Sequence, residues 1–82
     1  MPNILSRTKD KIINMNKEFS SRLKELRTEQ NLSFEKLSQL TKISRATLCR
    51  YENNQTDVNG ENLITLAKFF HVSTDYLLGL ED

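Results

Sequence analysis

Residues 33–54 read SFEKLSQLTKISRATLCRYENN. Ser33 and Ser44 each stand before a short run that can be helical, and a serine hydroxyl there accepts from the free amides of a first turn. The spacing predicts one helix from Phe34 to about Thr41, with Leu37 inward, and a second from Arg45 to about Glu52, with Leu48 inward. Only TKIS links them, which leaves room for a sharp turn and nothing more. Two short helices joined this tightly form a helix-turn-helix. Ser38 is small enough for a close crossing, and Ile43 fits as a plug beneath the turn. The second run has no outward apolar stripe. Its surface instead carries Arg45, Ala46, Thr47, Cys49 and Arg50, and the question is what such a face meets.

Upstream, Phe19, Leu23, Leu26 and Leu32 fall at mostly helical spacing and predict a helix from about Glu18 to Glu29. Downstream, Gln55–Val58 is a polar loop. Asn59 is the expected cap of a helix over Gly60 to Phe70, striped by Leu63, Leu66, Ala67 and Phe70. Ser73 caps a last short helix, Thr74 to Leu78, which carries Tyr76 and Leu77 and is stopped by Gly79. The fold class expected is all-α: a compact bundle of about five short helices containing a helix-turn-helix. Two parts are expected, an N-terminal extension over 1–17 and the helix-turn-helix domain over 18–82. In the extension, Ile4, Leu5, Ile12, Ile13 and Met15 do not continue the stripe of the first helix. An extra helix from about Ser6, a basic arm and in part a leader are the alternatives, with Met15 a candidate natural start.

With 82 residues, 37% hydrophobic and 28% charged, one folded domain is expected rather than a disordered tail. Two glycines and one proline leave few breakers and favour helix. Cys49 is the single cysteine, so no internal disulfide can form and no metal-ligand spacing exists; a cytoplasmic location, a semi-apolar surface role for Cys49 and no bound metal or cofactor follow as expectations. His71 reads as a helix-end residue. No run approaches the ~18 apolar residues of a membrane span, and the first 17 residues lack a signal-peptide core. No nucleophile–base pair stands out, so no enzyme is expected. The net charge of +1 hides an asymmetry: six basic and two acidic groups over 1–24 (+4), four and two over 33–55 (+2), one and five over 56–82 (−4). A basic front and acidic back orient a domain on a polyanion, although an unevenly charged solvated face gives the same pattern.

RLKELRTEQNLSFEKLSQLTKISRATLCRYENNQ, followed by LITLAKFFHVSTDYLLGLED, resembles the phage-repressor and Cro-like, or Xre-type, helix-turn-helix regulators. The likeness spans about Phe19 to Asp82 and rests on three segments in order: LRTEQNLS, ISRATLCRYE and VSTDYLLGL. It implies a lambda-repressor-like fold, double-stranded DNA as partner, and transcription regulation, expected as repression. In that family helix 3 enters the major groove and helix 2 crosses the backbone. Base reading then falls to Arg45, Ala46 and Arg50, with Thr47 and Cys49 beside them. The chemistry agrees, since arginine can bond guanine O6 and N7 and the Ala46 methyl can meet a thymine methyl. The resemblance also implies backbone contacts from Ser44, Asn53 and the amide end around Ser33 and Phe34, and an ion pair between Arg27 and Glu52. It implies dimer contacts over Gln55–Val58 and Tyr76–Leu80, where Val58, Tyr76, Leu78 and Leu80 are the candidates. The acidic back points to a weak homodimer that forms mainly on DNA.

Three positions depart from the family pattern. Phe34 replaces a glutamine that reaches phosphate, and is expected to pack on sugar, fill the core edge or join an interface. Lys42 replaces a turn glycine; a left-handed residue there costs lysine on the order of 1 kcal/mol, while adding a cation near the DNA backbone. Asn54 replaces the glycine after the recognition helix and tolerates the left-handed region. Two other readings stay open: a protein-interaction module using Phe34, Leu40 or N-terminal apolar residues, and an antitoxin-like subunit of a larger complex. No ligand-sensing domain is expected after LLGLED.

Overall fold

The computed structural model describes residues 17–81, so the expectations for residues 1–16 lie outside the described residues. Five helices and no strand are found among them. Helix α1 covers 17–29 of the described residues. It is followed by α2 (Phe34–Thr41), α3 (Arg45–Glu52), α4 (Gly60–Phe70) and α5 (Thr74–Leu77). The last ends one residue earlier than its sequence suggests, because Leu78 serves as its C-cap.

Each helix from α2 to α5 begins on the expected side chain. Ser33, Ser44, Asn59 and Ser73 accept from the amides of Lys36, Thr47, Asn62 and Tyr76. Each removes one orphan donor from a first turn, worth about 1 kcal/mol against alanine. The helix ends are equally regular. After α1, α3, α4 and α5 a left-handed residue (Asn31, Asn54, His71, Gly79) is followed by one whose amide reaches back five residues: Leu32 to Arg27, Gln55 to Arg50, Val72 to Ala67, Leu80 to Asp75. This double closure satisfies carbonyls that the helix leaves open. Gly79 needs its missing side chain twice over, since its φ is 78° and a Cβ would sit 2.6 Å from that of Glu18.

Helix α2 closes differently. Lys42, at φ 67°, returns one bond from its amide to Ser38 O at 2.8 Å. The chain then turns straight into α3. The Thr41 hydroxyl donates to Leu37 O and accepts from the Ile43 amide, so one buried side chain secures the turn on both sides. Ile43 is buried beneath it.

The core joins Phe19 and Leu23 of α1, Leu37 of α2, Ile43, Leu48 and Tyr51 of α3, Leu66, Ala67 and Phe70 of α4, and Leu77 of α5. Leu26, Leu32, Phe34, Val58 and Leu63 pack on its edge. Tyr51 knits three helices. Its ring meets Phe19 edge-on at 5.4 Å, its carbonyl accepts from the Ser20 hydroxyl, and its own hydroxyl accepts from Asn62 Nδ2. The C-terminal end is held by Arg22, which donates to the carbonyls of Tyr76 and Glu81 and lies 4.3 Å over the Tyr76 ring.

Candidate nucleic-acid interface

Helix α3 is fixed on its inner side by Leu48 and Tyr51 and at its end by an ion pair. Arg27 donates from Nε to Glu52 Oε2 at 2.6 Å and from Nη2 to Glu52 Oε1 at 3.0 Å. Its remaining arm donates to Leu32 O at 2.7 Å. The side chains are only 14% and 4% exposed, so this is a parallel, nearly dry fork rather than a surface pair. Glu52 hydrogen bonding and charge raise the Arg27 pKa above its ordinary value despite the opposing cost of burial. The two ends of the pair are 25 residues apart in sequence. It ties α3 to α1.

The outer side carries a different chemistry. Arg45, Ala46 and Arg50 are exposed. Neither arginine bonds another described residue, so both forks of donors face outward unused. Thr47 is half-buried, and its hydroxyl accepts from Ser44, which also caps the helix. Cys49 is half-buried, with Asn53 Nδ2 3.4 Å from its sulfur. Asn53 is the C-cap of α3 and is exposed, as are Lys42 and Ser44.

Beside this face lies the start of α2. Ser33 occupies the cap, and the amides of Phe34 and Glu35 fall in the first turn, where no intrahelical acceptor is available. Phe34 is half-buried against the core edge, one of the three roles that its sequence position left open. The Arg27 guanidinium lies 4.2 Å over its ring, a cation–π contact that also stiffens the ion-paired fork. Phe34, Arg45, Ala46 and Cys49 line a recess of about 500 Å³ between α2 and α3. A second, of about 210 Å³, is lined by Lys24, Arg27, Phe34, Cys49, Glu52 and Asn53.

The proposed dimer candidates are divided. Val58 packs half-buried on the core edge, Tyr76 sits under Arg22, Leu78 is half-buried, and Leu80 is exposed. Leu40 and Ile64 are exposed as well. Sequence periodicity gave no role to Thr41, Tyr51 or Arg22, whose partners in the fold are the turn, two other helices and the C-terminal end. Among the described residues no group of His, Cys, Asp and Glu could hold a metal ion, and no helix is long and apolar enough to cross a membrane.

A family model described as "Helix-turn-helix" matches residues 23–77. The chain is 37% identical over 65 residues to the HTH-type transcriptional activator BcrR of Enterococcus faecalis, across 79% of this chain and 32% of that protein. Two Bacillus subtilis (strain 168) proteins are each 33% identical. One is the uncharacterized HTH-type transcriptional regulator YobD, over 64 residues, 78% of this chain and 57% of that one. The other is the HTH-type transcriptional regulator ImmR, over 61 residues, 74% of this chain and 48% of that one. The match thus spans between 32% and 57% of these relatives' lengths. With the paired helices, the sharp turn and the outward arginines in place, the chain belongs to the repressor- and Cro-like helix-turn-helix family of DNA-binding transcription regulators.

Proposed function

We propose that this chain is a sequence-specific double-stranded DNA binder that lays α3 in the major groove. The observation that carries the reading is the outer face of α3. Arg45 and Arg50 are exposed and bond no other described residue, although the helix beneath them is rigidly held by Leu48, Tyr51 and the Arg27–Glu52 fork. A fixed arginine pair with free donors suits guanine O6 and N7, and Ala46 suits a thymine methyl. Thr47 and Cys49 flank them. Ser33, Phe34 and the open amides of α2, together with Lys42, Ser44 and Asn53, are proposed to follow the phosphate backbone and set the register.

One such helix reads few base pairs, which is little information against a genome of competing sites. A homodimer on a near-palindrome doubles it, with the two α3 helices about 34 Å apart. Leu80, with Val58, Tyr76 and Leu78 behind it, is the proposed contact region. The charge of −4 over 56–82 opposes association of free chains, so the dimer is weak off DNA and forms on it. Regulation follows from occupying an operator, and the proposed sign is repression. BcrR is named an activator, so the sign is a separate measurement, made with a promoter reporter.

Selection from a randomised duplex library tests the proposal. Enrichment of a near-palindromic site containing guanine at a fixed position supports it. No enrichment, with binding that vanishes uniformly as salt rises, refutes base reading and favours the protein-interaction alternative.

A further inference from the structure

The recess between α2 and α3 has an uneven wall. Among the described residues that line it, Phe34, Ala46 and Cys49 offer carbon or sulfur, and Arg45 is charged. The apolar part is also held in place. Phe34 is pinned between the core edge and the Arg27 guanidinium at 4.2 Å, and Arg27 is itself clamped by Glu52 and Leu32 O. Cys49 is tethered by Asn53. The smaller recess shares Phe34 and Cys49 and adds the polar side chains of Lys24, Arg27, Glu52 and Asn53. Phe34 and Cys49 therefore line both recesses, and the larger one, which adds Ala46 and Arg45 of α3, carries fewer polar side chains among the described residues.

We infer that Phe34 and Cys49 are specificity-determining residues: with Ala46 they receive the 5-methyl edge of a thymine adjacent to the guanine that Arg45 bonds. This rests on the major-groove reading above and reassigns Phe34 from the phosphate backbone to a base. The chemistry selects the occupant. In the major groove the thymine methyl is the one apolar group on any base edge. A cytosine amine or a guanine oxygen pressed against three apolar walls would lose water without gaining a bond, and so would a phosphate oxygen. Arg45, which lines the same recess, fixes the neighbouring step and gives the cleft its register.

The test replaces thymines in the selected site by uracil, one at a time, which removes the methyl and leaves every hydrogen-bonding atom. Affinities are measured for the wild-type protein, Phe34→Leu and Cys49→Ser, with thermal melts confirming that each variant is folded. For the wild type, one thymine per half-site should lose about four-fold in affinity on becoming uracil, the ~0.8 kcal/mol of one buried carbon group. That thymine should neighbour the guanine whose preference disappears in Arg45→Ala. In Phe34→Leu and Cys49→Ser the thymine and uracil duplexes should bind within two-fold of each other, while guanine is still preferred. Arg45-dependent guanine preference without any uracil effect beside it overturns this inference and leaves the major-groove reading standing. So does a uracil effect that persists in both variants. Failure to select any sequence overturns both.

Discussion

Helices α3 and α4 begin on the same kind of cap and end on the same pair of backbone bonds, yet α4 turns Leu66, Ala67 and Phe70 inward while α3 buries only Leu48 and Tyr51. Their ends are matched: Ser44 and Asn59 accept at the start, and Asn54 and His71 take left-handed backbone at the finish. Local helix chemistry therefore does not explain why their outer faces differ. Helix α4 is a packing element, anchored by a broad apolar stripe. Helix α3 is anchored by two buried side chains and one ion pair, which frees its outer face to carry Arg45, Ala46 and Arg50. The comparison teaches that α3 is held from below and from its end so that its surface can be chosen for something other than stability.

The ion pair is the sharpest place to break that comparison. Removing Arg27 or Glu52 alone strands a nearly buried charge, and Arg27→Ala or Glu52→Ala should lower the unfolding free energy by about 3–5 kcal/mol in urea melts. A double-mutant cycle should show strong coupling. If the two losses simply add, α3 is not held at its end and the comparison with α4 fails.

Leucine truncation gauges the two anchors directly. Leu48→Ala and Leu66→Ala each empty a fully buried site and should each cost about 2–5 kcal/mol. Similar values would show that α3, with fewer inward residues, leans on each of them as heavily as α4 does. A much smaller loss for Leu48 would mean that α3 sits loosely on the core.

Smaller effects refine the turn and the cross-link. Tyr51→Phe removes the hydroxyl that accepts from Asn62 and should cost about 1 kcal/mol in the same melts. Lys42→Gly relieves left-handed backbone at φ 67° and should stabilise the fold by up to about 1 kcal/mol. The same change removes a cation. If Lys42 meets a phosphate, the salt dependence of DNA binding should flatten by about one unit of slope.

The pattern of what the sequence disclosed follows the range of the interactions. The caps Ser33, Ser44, Asn59 and Ser73 were legible because a cap is a contact over three residues, Gly79 was legible as a helix stop, and the left-handed positions Lys42 and Asn54 were legible through the family likeness, which carries glycine at both. The inward leucines were legible from helical period. Tyr51 was not, since its partners Ser20 and Asn62 lie 31 and 11 residues away, and period says that a residue faces inward without saying whom it meets. Arg22 was hidden for the same reason, with its carbonyl acceptors 54 and 59 residues off. Asn31 and His71 take left-handed backbone, which asparagine and histidine adopt more readily than most residues but do not announce. For the candidate site, residue types and the family likeness singled out Arg45, Ala46 and Arg50. The recess that joins Phe34 to Cys49 depends on the α2–α3 crossing and needed coordinates.

The central claim is that the outer face of α3 reads bases. Binding of the wild-type protein, Arg45→Ala and Arg50→Ala to a selected duplex and to a random one, at fixed salt, tests it most directly. Each variant should lose about 1–3 kcal/mol on the selected duplex and much less on the random one, with preference relaxed at one base position and the thermal melt unchanged. Equal losses on the two duplexes would contradict the account, because arginines that meet only phosphate carry no sequence information.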